Sequence, residues 1–228
     1  MPQYHHDITQ GSEEWHALRL GILTASEVKL ILTPTLKVAN NDKTRAHVWE
    51  LAAQRISEYT EPSYIGDDML RGWDDEIRAR DLYSEKYAPV QEVGFVTEDE
   101  WGFTIGYSPD GLVGDDGLIE IKSRRQKYQV QTICENAPPD EYALQLQTGL
   151  LVTGRKWIDF ISYSGGLPMF VHRVHPDEVV QAAIIEAAAG FEAKVALAVQ
   201  SYHDNVKAGG YHPTERVVVE EMFVGAEE

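Results

Sequence analysis

A change of hydrophobic period near Val90 narrows the fold more than any other feature of this chain. Over 67–87, Met69, Trp73, Ala79, Tyr83 and Tyr87 recur at helical spacing, which predicts a helix lying along a core. Beyond Val90 the period shortens, and 91–97, 103–107 and 118–122 are predicted strands. Pro109-Asp110-Gly111 and Gly114-Asp115-Asp116-Gly117 supply the turn chemistry between the last two. On the N-terminal side, Ser12 is a predicted N-cap for a short helix to Arg19, broken at Gly21. Thr24-Ala25-Ser26 opens a second short helix to Leu32, stopped by Pro34, and 41–59 is a third. Later come helices at 128–136 and 140–152, strands at 157–163 and 169–174, and a long Ala-rich helix at 176–207. A last strand or arm is expected at 216–224. This order predicts one α/β domain over 1–228, a central mixed sheet flanked by helices. Its motif-bearing core covers about 10–163, and 164–228 adds a strand, the long helix and a tail. Trp49, Trp73 and Trp101 are assigned to the core.

Charge restricts the partners. The 228 residues carry a formal net charge of −17, which disfavours phosphate binding unless cations are concentrated locally. The segment 122–127, KSRRQK, is such a concentration, and clustered carboxylates that hold metal would account for part of the acidity. One cysteine, Cys134, excludes an internal disulfide and fits a reducing cytoplasm. The opening MPQYHHDITQ lacks the basic and apolar regions of a signal peptide. No apolar run approaches the ~20 residues of a membrane span, so no membrane partner is expected.

Two segments carry chemistry. In Ile119-Glu120-Ile121-Lys122 the side chains alternate, sending the isoleucines to one face and Glu120 and Lys122 to the other. Asp110 lies on the preceding turn, where a hairpin can bring its carboxylate beside Glu120. Two carboxylates and a lysine suit phosphodiester cleavage. Mg²⁺ takes carboxylate, water and phosphate oxygens, and Asp110 would bridge two such ions ~3.5–4 Å apart. Glu120 and the Ile121 carbonyl complete a shell, and Mn²⁺ accepts the same ligands. Lys122 then orients or deprotonates the attacking water, or stabilises the phosphate. The same residues also fit a plain turn and a half-exposed strand. Glu76 fits a solvated helix acid equally well, and Arg19 a pairing with Glu14 or a stack on an aromatic ring. Gln145 and Gln147 cannot share one helix face. His5 and His6 lack the companions of a zinc site.

Pro109-Asp110 with Glu120-Ile121-Lys122 resembles the motif of the PD-(D/E)xK nucleases. The segment 10–28, QGSEEWHALRLGILTASEV, resembles the opening of the phage lambda-type recombination exonucleases (the YqaJ-like viral recombinases). Ser108-Pro109-Asp110-Gly111-Leu112 and 142–147, YALQLQ, follow in that family's order. The resemblance covers about 10–163. It implies a restriction-endonuclease-like fold with Asp110 and Glu120 as metal ligands, Lys122 as the catalytic lysine and Glu76 as a helix-borne acid. It also implies Gln147 at the metal-bound water or substrate, and Arg19, Ser26 and Trp15 at the 5′ end of the DNA. The implied activity is 5′→3′ digestion of one strand of linear duplex DNA, leaving a 3′ single strand for recombination. A homotrimeric ring and a phage single-strand annealing protein are the implied partners, in the cytoplasm of a bacterial host. Where some relatives have Cys-Pro after the lysine, this chain has Ser123-Arg124. An endonuclease using the same centre and a non-catalytic interaction protein on the same scaffold are the alternatives.

Overall fold

The computed structural model describes residues 1–61 and 66–216. The expected strand or arm at 216–224 therefore lies, apart from Arg216, outside the described residues. The elements in chain order are β1 (Gln3–His5), α1 (Glu13–Arg19), β2 (Leu23–Thr24), a 3₁₀ helix (Ala25–Leu30), α2 (Asp42–Ser57), α3 (Asp67–Lys86), β3 (Phe95–Glu98) and β4 (Ile105–Tyr107). They continue with β5 (Gly111–Val113), β6 (Gly117–Ser123), α4 (Gln126–Glu135), a second 3₁₀ turn (Asp140–Tyr142), α5 (Ala143–Thr153), β7 (Trp157–Tyr163), β8 (Phe170–Val174) and α6 (Glu178–Ala208).

Local chemistry sets the boundaries. The Ser12 hydroxyl accepts the Trp15 amide at 3.2 Å and starts α1. Asn41 caps α2 through the Thr44 amide at 3.0 Å, and Asp177 caps α6 through the amides of Val179 and Val180. Each satisfies donors that a helix start leaves without an intrahelical partner. Gly21 ends the α1 region with φ of +67°, which a side chain would strain.

The strands form two mixed ladders of four, ordered β1-β3-β4-β2 and β5-β6-β7-β8. In the second, β5 and β8 run antiparallel to their neighbours while β6 and β7 are parallel. A single bridge, Gln91 to Leu112, also joins the segment before β3 to β5. The mixed α/β class expected from the sequence is what forms. β1, β2 and β5 are two or three residues long, too short for a period to register.

β6 is covered on both faces. Ile119, Ile121 and Ile161 pack with Ala79 and Tyr83 of α3 in a small core. Leu118, Ile158 and Phe160 face a larger core with Leu144 and Leu150 of α5, Leu51 of α2 and Phe191 of α6. Burial of both faces is the usual state of parallel strands, and it removes the half-exposed alternative for β6. Two tryptophans depart from expectation: Trp49 is 65% and Trp73 50% exposed. Met69 and Tyr87 also face outward, so α3 buries a narrower stripe than its spacing suggested. Only Ala79 and Tyr83 of that stripe are fully inside, because the helix packs on β6 and β7 through its second half. No helix among the described residues is long and apolar enough to cross a membrane.

Candidate active site

Ser108-Pro109-Asp110 is the segment where the chain leaves one ladder for the other. β4 belongs to the first and β5 to the second. β5 pairs with β6 in the register Gly111 to Ile119, so continuing the hairpin by one residue sets Asp110 opposite Glu120. Cross-strand partners on one face are the closest side chains a sheet offers. Gln10 clamps the segment by donating to the carbonyls of Pro109 at 2.8 Å and Val93 at 3.1 Å. One Asp110 carboxylate oxygen accepts the Ile121 amide at 2.5 Å. The carboxylate and the Ile121 main chain are thus neighbours, as a shared ligand set requires.

Glu120 is only 2% exposed and is held from three sides. Lys122 Nζ lies 2.6 Å from its Oε1, Gln145 donates to the same oxygen at 2.5 Å, and the Tyr107 hydroxyl donates to Oε2 at 2.7 Å. Lys122 also lies 5.4 Å from the Tyr142 ring centroid. Glu76, on α3, pairs with Arg80. The Arg80 Nε donates to the Asp110 carbonyl at 2.9 Å, which ties α3 to the crossing segment.

The electrostatics record crowded negative charge. Burial raises the Asp110 pKa well above the usual carboxylate range, and the Glu120 and Glu76 carboxylates push it further. Burial likewise raises Glu76, and Glu120 adds to it against the pull of Arg80. Burial disfavours the Lys122 ammonium, but the carboxylates of Glu120 and Asp110 outweigh it and its pKa is raised. Tyr107 stays a donor, because burial and the same two acids raise its pKa well above normal.

These features fit a divalent cation. Three acids face two cationic side chains, and Glu120 Oε2, with its one donor, keeps a lone pair. Among the described residues no group of three His, Cys, Asp or Glu side chains could hold an ion alone. An ion here would rest on the carboxylate pair, a main-chain carbonyl, water and phosphate, the usual shell of Mg²⁺.

The glutamine expectation needs correction. Gln147 is turned away: its Nε2 donates to the His175 carbonyl and its Oε1 accepts the Asp177 amide, both at 2.8 Å. It joins α5 to the loop before α6, and Gln145 takes the place at the carboxylate. Residues two apart on a helix point about 200° apart. Because α5 is buried nearly all round, its hydrophobic pattern could not say which glutamine faces the site.

Arg19, Trp15 and Ser108 form a second cluster beside the first. The Arg19 guanidinium stacks 4.1 Å from the Trp15 centroid and 5.5 Å from that of Phe95. Its Nη1 and the Trp15 Nε1 both donate to the Ser108 hydroxyl at 3.0 Å. Burial lowers the Arg19 pKa and Glu27 opposes this, so the cation is partly desolvated. Ser26 is exposed, its hydroxyl 3.2 Å from that of Thr24, at the start of the six-residue 3₁₀ helix. The aromatic stack considered for Arg19 is present, and pairing with Glu14 is not among its contacts. Tyr107 and Arg80 had no signal of their own, since a tyrosine inside a strand reads as core and an arginine on a helix as solvated.

Acids from a hairpin, a lysine on the central strand and a helix-borne glutamine, set at the junction of mixed sheets, define an α/β fold of the PD-(D/E)xK nuclease kind. The chain belongs to the YqaJ-like viral recombinase domain family, whose model matches residues 14–156. It is similar to an alkaline exonuclease (LHK-Exo) from Laribacter hongkongensis, with 34% identity over 86% of this chain and 99% of that one, at a TM-score of 0.78. The same enzyme in complex with dAMP gives 35% identity over the same shares and a TM-score of 0.78. A phage related exonuclease from Haemophilus somnus 129PT shares the fold at 14% identity and a TM-score of 0.56, over 79% of this chain and 96% of that one. No curated protein matches. The family and the structural neighbours support a nuclease role.

Proposed function

We propose that this protein is a metal-dependent 5′→3′ exonuclease that digests one strand of linear duplex DNA, releases 5′-mononucleotides and leaves a 3′ single strand for annealing. The observation that carries the reading is the meeting of Asp110, Glu120 and Lys122, with the Arg19 cluster joined to them through Ser108. Asp110, Glu120 and the Ile121 carbonyl would hold two Mg²⁺ ions, with Mn²⁺ as a substitute. Bound ions of this kind activate water and neutralise charge on the phosphate. Lys122 donates to a phosphate oxygen or to the attacking water from its place on Glu120, and Gln145 and Tyr107 keep that carboxylate oriented. Glu76 adds negative charge at the rim. Arg19 and Ser108 grip the terminal 5′-phosphate, Trp15 supports the guanidinium, and Ser26 supplies a nearby hydroxyl. A partly desolvated arginine is a strong ligand for phosphate.

The similarity to LHK-Exo, an alkaline exonuclease, together with the family, supports an end-dependent activity. We extend the proposal to a homotrimeric ring around DNA, a single-strand annealing protein as partner, and a bacterial cytoplasm as the setting. The deciding experiment is digestion of linear duplex with one strand labelled at each end, with Mg²⁺ and with EDTA. Label loss from the 5′ terminus only with Mg²⁺ is expected. Nicking of covalently closed circles would favour an endonuclease, and no metal-dependent cleavage at all would remove the enzymatic reading.

A further inference from the structure

The basic run that leaves the catalytic strand plays no part in the reaction above. Ser123, Arg124 and Arg125 follow Lys122 directly, and with Arg71, Tyr128 and Tyr142 they line a cleft of about 370 Å³. One carboxylate, that of Glu141, also borders it. Arg71 also lies 3.9 Å from Asp75, and Arg124 and Arg125 bring positive charge to this recess in a chain of net charge −17.

Arg124 is the centre of this recess. Its side chain is 10% exposed, and its guanidinium lies 5.1 Å from the Tyr128 ring centroid and 5.4 Å from that of Tyr142. Nη1 donates to Glu141 at 2.9 Å and to the Tyr142 hydroxyl at 2.7 Å. Nε is buried and finds no hydrogen-bond partner among the described residues. A buried donor left without an acceptor costs stability, and an arginine fixed between two rings offers a planar fork to a phosphate. Tyr142 is also the ring over which Lys122 sits, so a single aromatic side chain separates the recess from the catalytic lysine. Tyr128 is 41% exposed and presents a ring at the mouth, where a base or sugar can stack.

We propose that this cleft is a second phosphate subsite, which takes a nucleotide phosphate on Arg124 and a base or sugar on Tyr128. It rests on the nuclease reading, which supplies two sources of the same chemistry. One is a phosphodiester of the bound DNA strand, and the other is the phosphate of a released mononucleotide. Two variants test it: Arg124→Lys keeps the charge and removes the planar fork, and Tyr128→Leu removes the ring from an exposed position without touching Glu141. Binding is measured in EDTA, so that nothing is cut, with a fluorescent linear duplex and separately with a deoxynucleoside 5′-monophosphate. Weakening of about fivefold or more, close to 1 kcal/mol, with an unchanged melting temperature is expected for at least one probe. Loss confined to the duplex assigns the site to the strand, and loss for the monophosphate assigns it to product. Should Arg124→Lys fail to fold, Tyr128→Leu decides. Folded variants that bind both probes like the parent overturn the proposal. Cleavage by the parent with Mg²⁺ is scored independently: weakened phosphate binding without any cleavage leaves the subsite standing and removes the nuclease reading.

Discussion

Asp110 is buried beside two other acids, and its folded pKa lies above its unfolded value. The folded state therefore prefers the neutral acid. Ionisation subtracts stability as pH climbs from the ordinary carboxylate range through the raised folded pKa, and the penalty vanishes below that range. Asp110→Asn should accordingly melt higher than the parent in EDTA at pH 8, by roughly 2–4 °C per kcal/mol recovered, with the gap closing near pH 4. A lower melting temperature for the variant at pH 8 would contradict this. The same variant is expected to lose cleavage. Lys122→Ala should abolish cleavage in an end-labelled assay while duplex binding persists. Gln145 and Gln147 separate by role. Gln145→Ala slows cleavage with little change in stability, whereas Gln147→Ala costs about 1–3 kcal/mol in urea unfolding, because the His175 carbonyl and Asp177 amide lose their partner. The acids and lysine were legible as residues because spacing on a hairpin fixes which side chains meet. The glutamine was not, because a helix buried all round hides its orientation.

At the level of elements, the sheet that carries Glu120 and Lys122 is held by contacts remote from them. Asp159 on β7 accepts the Tyr83 hydroxyl of α3 at 2.7 Å and both guanidinium arms of Arg173 on β8 at 2.8 Å. Burial pushes the Tyr83 pKa upward and Asp159 reinforces it, so the phenol remains a donor. Asp159→Ala should destabilise the fold by about 2–3 kcal/mol, read by chemical denaturation, with any loss of activity following unfolding. Gly149 gives a different kind of test. A Cβ there would lie 2.8 Å from the Tyr107 ring, the ring whose hydroxyl fixes Glu120. Gly149→Ala should therefore lower turnover more than it lowers duplex affinity; equal losses would point to general damage. Most helices, and the strands near Val96, Ile121, Phe160 and Val171, could be placed from periodicity. The pairing between them could not, because a split into two ladders depends on long-range register that no local period encodes.

Taken as a whole molecule, a chain of net charge −17 must confine its affinity for DNA to small cationic areas. On the proposals above, the Arg19 cluster and the Arg124 cleft would be two such areas. Duplex affinity should fall with salt along a shallow slope that reflects few phosphate contacts. Sedimentation of the purified protein should give three times the 25.7 kDa chain mass if the ring forms; a monomer at all concentrations would remove that part of the proposal.

Only a proline stands between Ser108, which the Arg19 guanidinium touches, and Asp110. Gln10 pins that proline's carbonyl. A phosphate gripped by Arg19, as proposed, would thereby be kept at a set reach from the bond to be broken. A chain built this way would act as a gauge: each cycle should advance the substrate by one constant stride. Early products of uniform size, instead of a ladder of mixed fragments, would be the visible trace of those two residues.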